Sequence, residues 1–199
     1  MRGFWGQKEL LSDPETVRCK GNLLGARKRY ILKSFGQGTF DRIADRLEGE
    51  AKRAFVSPPM PFAWLPVRVL YAIDEVLVEE AMGGDEEGML AFGEEIAAAD
   101  LNAVYRAFFR LGNPAFFLTR AHVIWGQYIS GGYVKGEAKG KSARTRIHDV
   151  VLARYFCDFG VGGYVAEATR ASGGKNVRVV HTKCRHRGDP YCEHTIEWV

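Results

Sequence analysis

From residue 21 to residue 132 apolar positions recur at helical spacing. Beyond that point short stretches alternate between apolar and polar. "GNLLGARKRYILKSFG" (21–36) predicts a helix that stops at Gly36, and Thr39 is placed to cap a second one through "FDRIADRLEGEAKRAF". "SPPMP" (57–61) is a proline break. The next helix starts near Pro66, carries Leu70, Ile73 and Leu77 on one face, and ends at Gly83-Gly84. A long helix from about Asp85 to Leu111 follows, with Leu101, Val104, Tyr105 and Phe108 on one stripe beside Ala97, Ala98 and Ala99. "NPAFFLTRAHVIWGQYISGG" takes Asn113 as cap and Pro114 in its first turn, and closes at Gly131-Gly132.

The pattern then changes. "YVKGEA" and "ARTRIHDV" predict two strands around "KGKS". One more helix lies within "VVLARYFCDFGVGGYVAEATRASGG", and "NVRVVHTKC" and "CEHTIEWV" predict two last strands joined through the turn residues Gly188-Asp189-Pro190. Helices first and then β-β-α-β-β make the expected fold α+β, with the N-terminal helices packed on a small antiparallel sheet. The expected organisation is an extension over 1–19 and one ligand-binding domain over 20–199.

Composition changes this picture little. The chain has 199 residues and a net charge of +4. No apolar run is long enough to cross a bilayer and no apolar leader core stands at the start, so a cytoplasmic location is expected. Basic residues gather at Arg18, Lys20, Arg27, Lys28, Arg29 and Lys33, and again at Lys135, Lys139, Lys141, Arg144 and Arg146. Such runs permit an anionic membrane or nucleic-acid surface, but as solvated faces they require neither, and no nucleic-acid partner is expected. "GEAKGKS" (136–142) imitates a phosphate-binding loop, but it has one residue too few between its glycines and leads into a strand.

The candidate chemistry lies in "HTKCRHRGDPYCEH" (181–194). Cys184 and Cys192 stand on the two arms of a hairpin, and Cys157 lies on the helix before it. Thiolate and imidazole are tetrahedral metal ligands, and Lys183, Arg185 and Arg187 would offset the charge of three thiolates. His181 is the nearest histidine, with His186 and His194 competing. Strict alternation sets His181 and Cys184 on opposite faces, so a shared site needs a bulge or a strand ending near Lys183. From the residues alone, a metal site, buried core thiols and a redox pair all remain open.

"CRHRGDPYCEHTIEW" resembles the C-terminal signature of the 4-vinyl-reductase-type domain, a small-molecule-binding domain related to Bet3-like vesicle-tethering proteins and more distantly to the haem nitric-oxide-binding fold. The front, with "GNLLGARKRYI", is similar to an uncharacterised myxobacterial family of the same architecture. In the phenol-sensing members of the 4-vinyl-reductase-type family, three cysteines and a carboxylate hold zinc. The resemblance therefore implies a structural zinc cofactor on Cys157, His181, Cys184 and Cys192, with His181 replacing the carboxylate. A closed site of this kind argues against catalysis, and no catalytic constellation is visible. Tyr128-Ile129-Ser130 matches the start of the Tyr-x-Ser-x-Arg signature of haem nitric-oxide-binding domains, but Gly132 replaces the arginine.

The resemblance also implies an apolar pocket, for which Phe108, Phe109, Phe116, Phe117, His122, Trp125 and Tyr128 are the candidate lining. The expected function is a sensor or regulatory domain for a hydrophobic or aromatic small molecule, signalling through a homodimer or a partner protein. The alternatives are a Bet3-like interaction scaffold, or a haem- or tetrapyrrole-binding protein with His122 or His148 as axial ligand.

Overall fold

Residues 16–85, 87–103 and 113–199 are described in a computed structural model of the protein. A short strand, β1 (Arg18–Lys20), leads straight into α1 (Gly21–Ser34), followed by α2 (Gly36–Arg46) and α3 (Gly49–Val56). The sequence predicted one helix where α2 and α3 stand. The break falls where Leu47 turns extended to bury itself in the core and Gly49 takes a left-handed φ of 53°. Thr39 sits inside α2, where its hydroxyl donates to the Phe35 carbonyl instead of capping.

β2 (Trp64–Pro66) pairs antiparallel with β1, and neither strand was predicted. Three residues give too short a pattern to read. α4 (Arg68–Met82) ends on left-handed Gly83, as the Gly-Gly pair predicted. α5 spans Gly88–Ala103. The stripe expected at Leu101, Val104, Tyr105 and Phe108 lies outside the described side chains.

Asn113 caps α6 (Pro114–Thr119) by accepting the Ala115 amide at 2.9 Å. The single helix predicted from Asn113 is interrupted at Arg120, and α7 (Ala121–Tyr128) begins there. The Thr119 hydroxyl bonds back to the Ala115 and Phe116 carbonyls, and the Arg120 guanidinium lies over the Phe116 ring at 3.6 Å.

The main sheet contains β3 (Tyr133–Lys139), β4 (Ser142–His148), β5 (Arg178–Lys183) and β6 (Cys192–Glu197), all antiparallel in the order β3-β4-β6-β5. Val134, Ala143, Thr145, Ile147, Cys192, His194 and Ile196 are buried on its inner face. Tyr133, Lys135, Arg144 and Glu197 stand exposed on the other. Gly136 lets the α6 backbone rest on the sheet, because a Cβ there would collide with the Leu118 carbonyl. The α+β expectation holds: helices first, then β-β-α-β-β.

The last helix, α8 (Val161–Ala171), follows a π-helical turn at Phe156–Gly160. α5 and α8 cross in backbone contact. A Cβ on Gly93 would strike the Gly160 carbonyl, and one on Gly163 the Leu90 carbonyl. Below this crossing, Arg27 of α1 and Asp74 of α4 form a bidentate pair at 2.6 and 2.7 Å, each 1% exposed. The guanidinium lies near the rings of Phe92 and Phe156 and also donates to the Leu23 carbonyl.

Two outcomes are expected. Arg27→Met strands a buried carboxylate and lowers the unfolding free energy in urea by roughly 3–5 kcal/mol, and adding Asp74→Leu restores most of it. Gly163→Ala forces α5 and α8 apart at a cost of about 1–3 kcal/mol in the same assay.

Candidate functional site

A cavity of about 140 Å³ opens where α1, α4, α6, α7 and the inner face of the sheet meet. α1 supplies Leu23 and Arg27, α4 supplies Leu70, Tyr71 and Asp74, and α7 supplies Ala121, Ile124, Trp125 and Tyr128. Val134, Thr145 and Ile147 form its sheet wall, and Leu152, Phe156, Val161 and Tyr164 close the far side. α7 buries none of its residues fully. It serves as an amphipathic wall with its inner face on the cavity and His122 and Val123 in solvent.

Most polar groups on this lining are already engaged. Arg27 and Asp74 satisfy one another. The Trp125 indole N–H donates to the Gly131 carbonyl at 2.9 Å. The Tyr71 hydroxyl donates to the Val151 carbonyl, and burial raises its pKa, so it stays protonated. Thr145 differs. It is 4% exposed, its Oγ1 has no hydrogen-bond partner, and it sits on the apolar wall between Ala143 and Ile147.

Of the predicted lining residues, Phe117, Trp125 and Tyr128 reach the cavity, while Phe116 and His122 do not. Phe108 and Phe109 lie outside the described residues. The sequence reading missed Thr145, Tyr71 and the Arg27–Asp74 pair. Thr145 carried a signal: in "ARTRIHDV" it is the polar residue in the inward register of an alternating strand.

The second group is the cysteine–histidine tetrad. The ligand atoms of Cys157, His181, Cys184 and Cys192 all lie within 4.8 Å of one another. Cys157 Sγ is 3.1 Å from Cys192 Sγ and 4.0 Å from Cys184 Sγ. The π turn presents Cys157 toward the hairpin. On the hairpin, a register shift between His181 and Lys183, with the strand ending at Lys183, brings His181 and Cys184 to one side. That is the irregularity the alternation argument required.

His181 Nδ1 lies 2.9 Å from Asp158 Oδ1 without hydrogen-bond geometry, and neither ring nitrogen has a hydrogen-bond partner. The Asp189 carboxylate accepts the Cys184 amide at 2.8 Å and shapes the loop. His194 stacks on His181 at 4.3 Å, fully buried, and His186 turns out to bond the Leu152 carbonyl, so neither joins the tetrad. The hydrogen bond from Cys157 lowers the Cys192 pKa, helped by His181 and the Arg185 amide, while that same bond and burial raise Cys157. The tetrad is chemically able to hold a cation, since it offers one favoured thiolate, two further sulfurs and an imidazole.

No protein-family model and no curated protein matches the sequence. Solved structures do match in fold. An H-NOX protein from K. algicida, in its Fe(II) unliganded form, superposes with a TM-score of 0.67 at 12% identity over 90% of this chain and 96% of that one. An H-NOX protein from S. oneidensis in the Fe(II)NO state gives 0.64 at 12% identity over 90% and 99%. The S. oneidensis domain in the Fe(II)CO state gives 0.64 at 13% over 90% and 98%. The chain thus shares its fold with these H-NOX proteins, while these comparisons lend no support to the 4-vinyl-reductase-type and Bet3 resemblance.

The expectation of a structural zinc cofactor is corrected by the same finding. The fold-sharing proteins are described as Fe(II) proteins, two others are described in terms of heme, and none is described with zinc. The four side chains converge as side chains, and no ion is assigned to them.

All four cysteines are free thiols, each no more than 1% exposed. Burial raises the Cys19 pKa to about 12, so at pH 8 that thiol is both shielded and protonated. Titration with a thiol reagent is expected to detect almost none of the four in the native protein at pH 8 and all four after unfolding. Rapid native reaction would contradict this burial.

Proposed function

We propose that this protein is a small-molecule-binding domain that takes an apolar ligand about the size of one aromatic ring into the cavity between α1, α4, α7 and the sheet. The observation that carries this reading is the cavity itself: about 140 Å³, lined almost wholly by apolar atoms, with Thr145, whose buried hydroxyl has no hydrogen-bond partner, in its wall. An engineered apolar cavity of about 150 Å³ in another protein stays dry and binds benzene, so this volume suits one ring bearing a small polar substituent. Thr145 offers one O–H donor and two lone pairs, enough to prefer a hydroxyl or carbonyl on the ligand. The domain, residues 20–199, would report occupancy through a partner or a second copy.

Haem is the second reading, and the Fe(II) description of the fold neighbours favours it. The lining offers that group no histidine, cysteine or methionine ligand, and of its tyrosines Tyr71 is engaged with the Val151 carbonyl. The chain's five histidines are His122, His148, His181, His186 and His194. None lines the cavity, and no described cysteine or methionine does either. His122 is exposed on the outer side of α7. His148 stacks on Tyr133 at 4.8 Å on the outer face of the sheet, where burial and Lys135 lower its pKa. Neither histidine considered as axial ligand is placed to meet a macrocycle in this pocket.

The experiment is a thermal-shift and calorimetric screen of one-ring ligands. A phenol- or ketone-bearing ring at one hundred times its Kd is expected to stabilise the protein by about 2.7 kcal/mol. Thr145→Val should lower affinity for the polar ligand by roughly fivefold to tenfold while leaving a plain hydrocarbon ring unaffected. Ala121→Trp, which fills the cavity, should abolish both. Haemin titration is expected to give no saturable Soret band, and a stoichiometric one would transfer the assignment to haem.

A further inference from the structure

The geometry points to a second surface with its own partner: the loop between α3 and β2 is a docking tip that inserts into an anionic lipid bilayer surface. Phe62 is 67% exposed and Met60 62% on the loop, and Trp64 (44%) and Val56 (39%) flank it at the start of β2 and the end of α3, so the exposed large apolar side chains in this region cluster at the loop and its two ends.

The loop is held rigidly. Three of its carbonyls accept backbone amides: Ala63 accepts from the Gly21 amide at 2.9 Å, Pro61 from the Asn22 amide at 3.0 Å, and Met60 from the Ala63 amide at 2.9 Å. Lys20 Nζ donates to the Phe62 carbonyl at 3.3 Å, and Lys28 Nζ to the Val56 carbonyl at 2.6 Å. Pro58, Pro59 and Pro61 have no amide hydrogen to satisfy. The tip can therefore leave water without stranding these backbone groups, which is the condition a bilayer imposes.

Charge names the occupant. No aspartate or glutamate occurs from Thr16 to Phe40 or from Ala51 to Ile73, the stretches that form the loop and the helix it rests on. Lys20 stands over the Trp64 ring at 4.3 Å, and tryptophan with lysine is the pairing favoured at the headgroup level. Arg53, on the last turn of α3 before the loop, and Arg29, next to Lys28 on α1, are also exposed. A second copy docking through the same tip would bring two basic rims face to face, which repulsion disfavours. Anionic headgroups satisfy the rim, and acyl chains satisfy Phe62 and Met60.

The test is co-sedimentation of the full chain with vesicles of equal parts phosphatidylcholine and phosphatidylserine, beside phosphatidylcholine alone. Binding to the mixed vesicles, roughly tenfold weaker to the neutral ones and weakened by salt, is the expected result. Phe62→Ser should cut partitioning by about tenfold or more, and Lys20→Ala with Lys28→Ala by a comparable factor, with circular dichroism confirming that each variant is folded. No binding to mixed vesicles, or equal binding by Phe62→Ser, would overturn the proposal. So would a concentration-dependent dimer that Phe62→Ser dissolves, because it would assign the tip to a second copy.

Discussion

The buried ion pair of Arg27 and Asp74 is the constraint around which the rest is arranged. Two charges taken from water are tolerable only when each satisfies the other, and here they do so through a bidentate contact reinforced by the Leu23 carbonyl. The pair locks α1 to α4 at one fixed distance. It also sits on the cavity lining, so the packing that holds the helices together is the same packing that shapes the pocket floor. Because each charge satisfies the other, the pair lines the pocket as a neutral unit.

The two chemically loaded regions of the inner face are neighbours. Thr145 of β4 pairs across the sheet with His194 of β6, and His194 stacks on His181 of the tetrad. The π turn extends this continuity on the helical side, since Phe156 lines the cavity while the adjacent Cys157 faces the hairpin. Packed side chains thus connect the pocket wall to the C-terminal hairpin.

Much of the architecture was legible because it rests on local rules. Gly83 stopped α4, Asn113 capped α6, and period-two alternation located the four sheet strands. The convergence of Cys157, His181, Cys184 and Cys192 was legible through a resemblance plus one stated condition, a broken strand register, and the register is broken there. The features that were not legible depend on contacts distant in sequence. Arg27 looked like one more cation in a basic run, and only its meeting with Asp74 makes it a core residue. His122 and Trp125 share a helix face by spacing, but the orientation of α7 sends one to solvent and the other to the cavity. The zinc expectation did not hold, because a set of converging ligand atoms does not by itself name an ion.

The most direct measurement of the central claim is a crystal structure of the protein pressurised with xenon, an apolar atom that enters dry cavities of this size. The account predicts a xenon site bounded by Trp125, Thr145, Ile147 and Leu152, with the Arg27–Asp74 pair intact at the edge. Xenon absent from that volume, or a tetrapyrrole filling an enlarged pocket in its place, would contradict it.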